Sequence, residues 1–165
     1  MHPLDLFKYC PKCGSASFVE NDEKSKRCTD CGFVYYFNVS SATVAFILNE
    51  KEELLVCRRA KEPKLGTLDL AGGFADRFET GEEGVAREVM EETGIRIKNL
   101  KYFGSQPWPY PSGVMIGFTA DYESGEIKLQ EEELSAASFF HREHLPELPG
   151  KLSLARKLKD DWLEM

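Results

Sequence analysis

The chain has no apolar run approaching the ~18 residues that a membrane-spanning helix needs. Its opening stretch, MHPLDLFKYCPKCG, holds no uninterrupted apolar segment of the kind that heads a secretory signal. Basic residues are outnumbered, 21 Lys and Arg against 28 Asp and Glu, and they do not cluster, giving a formal net charge of −7. That balance offers little to a phosphate backbone or an anionic lipid surface, which argues against unaided nucleic-acid or membrane-surface binding. With neither leader nor span, the expected location is the cytoplasm, where five cysteines do not read as a disulfide framework. Repeats and low-complexity tracts are missing too. What remains is an ordinary globular composition, 42% hydrophobic and 12% aromatic in 165 residues, enough to bury a sizeable core.

Four of the cysteines fall in two pairs. Cys10-x2-Cys13 and Cys28-x2-Cys31 are separated by fourteen residues, and a glycine, Gly14 or Gly32, follows each pair. Such knuckles aim four thiolates at one tetrahedral ion and leave no open position for a catalytic water, so the reading is a structural zinc site. It defines a small zinc ribbon over residues 1–36, a unit below ~40 residues that has too little core to fold without a metal. Ribbons also bind partners or nucleic acid, but Lys24, Lys26 and Arg27 are offset here by Glu20, Asp22, Glu23 and Asp30. Cys57, in LLVCRRA, stands alone and reads as a small core residue.

From Ser41 the pattern changes. SATVAFILNE and EELLVCRRA are β-rich runs around polar NEKEE, a hairpin. After the turn LAGGF comes a helical window, then RIKNLKYFGSQ and VMIGFTADY as strands, with Gly117 as a bulge or close-approach site, and AASFFHR as one more. The tail LSLARKLKDDWLEM places Leu152, Ala155, Leu158 and Leu163 at helical spacing and reads as a closing helix. Between the strands, SQPWPYPSG sets Pro107, Pro109 and Pro111 around Trp108 and Tyr110. No helix and no central strand accepts three such residues, so this segment is expected to run extended and stiff with its rings pre-placed. Helices mixed among strands predict an α/β domain over residues 37–165, a mixed sheet with helices on both faces.

The chemistry concentrates in GFADRFETGEEGVAREVMEETGI, Gly73 to Ile95. Thr80 and Glu83 form a capping box and Gly94 is a natural terminator, so a helix is expected from Gly81 to Thr93. Glu88, Glu91 and Glu92 share one face at i, i+3 and i+4, with Val85, Ala86, Val89 and Met90 expected on the opposite, core-facing side. Gly81 and Gly84 project with the carboxylates, which suits a bulky group approaching that face. Three like charges repel unless a cation neutralises them, and hard oxygen ligands suit Mg2+ or Mn2+ together with substrate phosphates.

Gly73, Glu79, Arg87-Glu88-Val89, Glu91-Glu92 and Gly94-Ile95 together resemble the full Nudix hydrolase signature. The resemblance implies an α/β/α sandwich in which Glu88, Glu91 and Glu92 bind the catalytic metals. It also implies that Glu79 and Arg87 brace the loop as an ion pair, and that the Gly72 carbonyl completes a metal shell. SQPWPYP further resembles the aromatic array of the NADH pyrophosphatase subfamily, which also carries a four-cysteine ribbon, a tyrosine matching Tyr36 and a phenylalanine matching Phe74. By that likeness Phe74 stacks on nicotinamide or adenine. Tyr36 and the array residues Gln106, Trp108, Tyr110, Ser112 and Gly113 shape the pocket, Glu133 is a further metal-binding glutamate, and the Ala155 backbone contacts substrate. The implied protein is a homodimeric hydrolase that splits NADH-like dinucleotides into two mononucleotides, with Glu92 or Glu133 preparing the attacking water.

There are departures from the pattern: Gly113 for a serine, Phe37 and Ser41 for prolines, and Asp76 and Phe78 where Glu and Gly are common. Longer members also carry a domain ahead of the ribbon, whereas nine residues precede Cys10. These leave ADP-ribose, another nucleoside diphosphate derivative or NAD-capped RNA as competing substrates. A non-catalytic nucleotide sensor or a partner-binding scaffold is the competing class.

Overall fold

The computed structural model describes residues 3–62, 64–108, 113–148 and 154–164. Contacts divide the chain into two compact units, one running to Val39 and the other starting at Ser40. The first is a three-stranded antiparallel sheet of β1 (Phe18–Asp22), β2 (Ser25–Cys28) and β3 (Val34–Tyr36). Its small core is Cys10, Phe18 and Cys28, with Cys31, Phe33 and Tyr35 packed against them. Two cysteines in so short a core leave little apolar area to bury, as expected of a metal-stapled unit.

The second unit is a mixed sheet in which β4 (Ser40–Leu48) runs parallel to β8 (Gly113–Ser124) along its whole length. Outside β8 lies β7 (Arg96–Trp108), antiparallel to it and at the edge. On the other side, β5 (Leu54–Arg59) meets β4 only at Leu48 and Leu54 before turning to pair with β6 (Leu68–Asp69) and β9 (Leu134–Phe140). The hairpin turn is closed by Asn49, whose N–H donates to Glu53 O at 3.1 Å.

Helix α1 (Gly81–Thr93) covers one face of the sheet and α2 (Leu154–Glu164) the other. This is why Ala42 to Ile47 are buried without a break, a pattern typical of a strand covered on both sides. Ala45 and Ile47 pack with Val85, Val89 and Phe118 towards α1, while Val44 and Phe46 pack with Leu158 and Trp162 towards α2.

Two expectations need correction. Along α2, Trp162 is buried and Leu163 is 42% exposed, because Phe46 takes the indole edge at 5.5 Å; Leu152 lies outside the described residues. Strand β7 continues through Pro107 to Trp108, paired with Val114 and Gly113, because an edge strand tolerates a missing donor. Gly117 is a close approach, as expected, since a Cβ there would lie 2.7 Å from Leu154 Cδ2; the register irregularity falls on the facing strand, between Tyr102 and Gly104. Cys57 is a core residue as expected, 1% exposed, and burial raises its thiol well above the ordinary range.

Candidate active site

The site begins where β4 and β5 splay apart. The chain leaving β6 runs into the gap and hydrogen-bonds along β4: Ala45 N–H donates to Ala71 O at 3.0 Å, Thr43 N–H to Gly73 O at 2.7 Å, and Ala75 N–H to Ser41 O at 2.9 Å. Two glycines make this approach feasible. A Cβ on Gly72 (φ +147°) would lie 2.2 Å from Thr43 O, and one on Gly73 would fall 2.4 Å from Glu88 Oε2. The loop is thereby fixed to the sheet at one end and pressed against the carboxylates at the other.

Helix α1 starts and stops where its local signals require. Thr80 Oγ1 accepts from Glu83 N–H at 3.2 Å, Glu83 accepts in return from Thr80 N–H at 2.7 Å, and Gly94 (φ +74°) donates to Met90 O at 2.9 Å. Its buried line is Gly84, Val85, Val89 and Thr93, whereas Ala86 and Met90 are only half-buried. The stripe sits beside Glu88 and Glu92, not opposite them, so these two carboxylates are drawn partly inside. Gly81 and Gly84 do not open a face to an outside group. A Cβ on Gly81 would meet the Phe118 ring at 3.2 Å, and one on Gly84 would meet Glu79 Oε1 at 2.9 Å.

Arg87 is the hub. Its Nε and Nη2 donate to the two oxygens of Glu79 at 3.1 and 2.8 Å, a bidentate pair. Nη2 also donates to Phe74 O at 3.1 Å, and Nη1 donates to both Glu88 Oε1 and Glu91 Oε2 at 2.9 Å. Asp76 Oδ2 stands 3.8 Å from the same guanidinium, and Asp76 N–H donates to Glu79. The Arg87 bonds, then that N–H, hold the Glu79 carboxyl down at about 2. Glu88 is instead raised, because burial outweighs its bond to Arg87.

Glu92 is shifted the other way from Glu79, and strongly. Burial pushes it up to about 7; the Gly72 N–H, donating at 3.1 Å, opposes this, while the charges of Glu88 and Glu133 add to it. Glu133, on the turn before β9, donates its N–H to Gln130 O at 2.9 Å, and its carboxylate is paired with Lys61, a residue that the sequence does not single out. The signal available was a lysine following RRA at the end of β5, which is too weak to single out. Asp76 and Arg77, also on the loop, were likewise given no role.

The donor set suits a divalent cation. Arg87 Nη1 bridges Glu88 to Glu91 and Lys61 pairs with Glu133, while Glu92 accepts from Gly72 N–H, so the carboxylates are hard oxygen donors held at the end of the loop. The bonds from the loop to β4 use the carbonyls of Ala71 and Gly73, not that of Gly72. The four cysteine sulfurs of the first unit form a closed group within 4.8 Å of one another, with Cys10–Cys31 at 3.7 Å and Cys13–Cys28 at 3.6 Å. Four thiolates at the zinc–sulfur distance define a tetrahedron with edges of about 3.8 Å. Matching turns make this arrangement: Gly14 N–H donates to Cys10 O and Gly32 N–H to Cys28 O, both glycines at positive φ. The cluster is consistent with a zinc ribbon.

The residues expected to touch substrate are less gathered. Phe74 is bridged to Ala42 beside β4 and is 55% exposed. Tyr36, at the end of β3, is 58% exposed. Gln106 is half-buried in β7, and Trp108 and Gly113 pair with each other at the β7–β8 end. Ala155 lies on the buried face of α2, so its side chain packs against the sheet. Tyr110 and Ser112 lie outside the described residues.

With this geometry in view, a family model described as the NUDIX domain matches residues 39–161. The chain belongs to the Nudix family. Its Nudix domain carries a likeness that extends into the ribbon: the chain is 45% identical over 166 residues to "NAD-capped RNA hydrolase NudC" of Haemophilus influenzae (strain PittGG), covering 99% of this chain and 63% of that protein. It is 36% identical to the protein of the same name from Vibrio cholerae, covering 98% and 60%. The chain thus spans a little under two thirds of these curated relatives. Among solved structures, a NUDIX hydrolase from Nitrosomonas europaea superposes with a TM-score of 0.81 at 23% identity, covering 95% of this chain and 91% of that one. The fold is therefore the Nudix α/β/α sandwich with its mixed sheet.

Proposed function

We propose that this Nudix protein is a divalent-metal-dependent pyrophosphohydrolase that splits NAD-like dinucleotides into two mononucleotides. The observation that carries this reading is the Gly72–Gly73 loop seated on the carboxylate face of α1: Gly72 N–H donates to half-buried Glu92 at 3.1 Å, a Cβ on Gly73 would strike Glu88, and Arg87 ties Glu88 to Glu91. Glu92, lifted by partial burial above the ordinary carboxylate range, is the candidate general base. Glu133, whose carboxylate is paired with Lys61, is the alternative base. Relatives named as NAD-capped RNA hydrolases, matched over nearly the whole chain, support the dinucleotide class.

Glu88, Glu91, Glu92 and Glu133 are the residues to hold Mg2+ or Mn2+, with the Gly72 carbonyl as a further oxygen. A bound ion of this kind neutralises charge on the diphosphate oxygens and lowers the pKa of water. Arg87 keeps Glu88 and Glu91 oriented and ties the loop down through Glu79 and Phe74 O. Phe74, exposed beside the loop, offers a stacking face to one ring of the substrate. In this reading residues 1–36 are the ribbon, its four thiolates hold zinc as a structural ion, residues 37–165 are catalytic, and the protein works as a cytoplasmic homodimer.

The test is a panel of NADH, NAD+, ADP-ribose and NAD-capped RNA at one concentration with Mg2+ or Mn2+, scored by release of mononucleotide. The expected result is metal-dependent cleavage with the highest kcat/KM for NADH. Higher kcat/KM for ADP-ribose would reassign the substrate, and nucleotide binding without cleavage of any compound would make the protein a sensor.

A further inference from the structure

The loop that carries the site contains a residue that the fold does not explain. Phe78 has φ +70°, a left-handed conformation that a bulky side chain rarely adopts, and it is 96% exposed. The other described non-glycine residues with positive φ are Glu52, Lys64 and Asn99, all polar and all in turns or at a strand irregularity. Phe78 alone combines the strained backbone with an apolar ring in water. Neither feature stabilises the folded chain, and strain of this kind gathers at ligand sites.

The chain on either side of the ring is held in place. Glu79, the next residue, is locked by two bonds from Arg87 and one from Asp76 N–H. Four residues earlier the same guanidinium holds Phe74 O at 3.1 Å. Phe74 and Phe78 therefore stand at the two ends of one clamped segment, at most about 14 Å apart along the chain. The guanidinium of Arg77 lies 5.0 Å from the Phe78 ring centroid, covering one side and adding positive charge beside it. A ring on a clamped segment, backed on one side and open to solvent, loses less entropy than one on a free loop when a flat group stacks on it.

We propose that Phe78, backed by Arg77, is a stacking platform for a flat ring on the second half of the diphosphate substrate. It selects a two-ring dinucleotide over a nucleoside diphosphate sugar. The inference rests on the pyrophosphohydrolase reading of the site and adds a specificity residue to it. One ring goes to Phe74 and the other to Phe78, with the diphosphate between them at the glutamates. The positive charge of Arg77 favours the anionic ligand and polarises the ring towards stacking.

The experiment compares wild type with F78G, F78L and F78W, using NADH and ADP-ribose as the two probes. The ratio of kcat/KM for NADH to that for ADP-ribose is expected to fall about tenfold in F78G and F78L and to persist in F78W. Thermal unfolding separates this from a structural role: glycine relieves the positive φ, so the Tm of F78G should not fall. An unchanged ratio in F78G, or a ratio that F78L retains, overturns the platform. So does a loss of activity that accompanies a lower Tm, or a change in sedimentation that assigns the ring to a contact between copies. If the wild type cleaves neither probe, the hydrolase reading fails by itself. The calorimetric Kd ratio for NADH and ADP-ribose across the same four proteins then decides the platform, by the same tenfold criterion.

Discussion

Replacing Glu92 with Gln should make the protein more stable in the absence of added magnesium or manganese, and increasingly so as the pH rises. Its carboxyl goes from an ordinary 4.5 to about 7 in the fold, chiefly through burial, with Glu88 and Glu133 contributing and the Gly72 N–H and Arg59 opposing. The sign is the reverse of the usual acidic case. A carboxyl raised on folding leaves the folded state binding more protons than the unfolded state between those two values, so stability is lost as the pH rises through that window. The loss levels off above about 7 at about 3 kcal/mol, and at pH 5 it amounts to less than about 1 kcal/mol. Gln keeps the shape and an oxygen for the Gly72 N–H but has no charge to desolvate. Urea unfolding of wild type and E92Q at about pH 5 and about pH 8.5 reads the difference directly. Manganese should then narrow the gap at high pH by binding the folded wild type more tightly than the variant. A variant equal to or weaker than wild type at pH 8.5, or a gap that does not change with pH, would refute the claim that burial raises this group. In the same preparation E92Q should lose turnover by orders of magnitude, so that one substitution trades activity for stability.

Arg87→Lys keeps a positive charge but cannot span Glu79, Phe74 O, Glu88 and Glu91 at once; it should lower stability by about 1–2 kcal/mol in urea unfolding and cut kcat at least tenfold. Full activity in R87K would mean that charge alone suffices at this position. Cys28→Ser should release the structural ion, detected with a zinc-sensitive dye, and leave the ribbon prone to proteolysis, because Cys28 is both a thiolate of the cluster and a member of its three-residue core. A stable C28S that still retains one equivalent of zinc would reject the four-thiolate site.

Much of the site was legible because its signals are local. Thr80, Glu83 and Gly94 delimit α1 through bonds that span four residues or fewer, and the structure keeps those limits. The bidentate pair of Glu79 with Arg87 followed from the motif and is present. Features that depended on distant neighbours were harder to read. The spacing of Gly81 and Gly84 suggested an open face, but the Phe118 ring and the Glu79 carboxylate, each contributed from outside the helix, occupy those positions. Helical projection could not tell that the buried stripe would centre on Val85 and Val89 and run beside the carboxylates, which is what raises Glu92. It also could not tell Trp162 from Leu163, since only the placement of Phe46 selects the indole. Pro107 excluded a central strand and left the segment extended, as it is, but composition could not tell that the edge strand β7 would run on past Gln106 to Trp108.

That edge bears on how two copies could associate. The outer margin of β7 is where a second polypeptide would extend the sheet, yet at Pro107 it would meet ring carbons where an amide donor is needed. Continuous intermolecular β-pairing therefore cannot run past that point. A partner strand could add only alongside Arg96–Gln106, so the proline sets a fixed stop on any sheet shared between two copies.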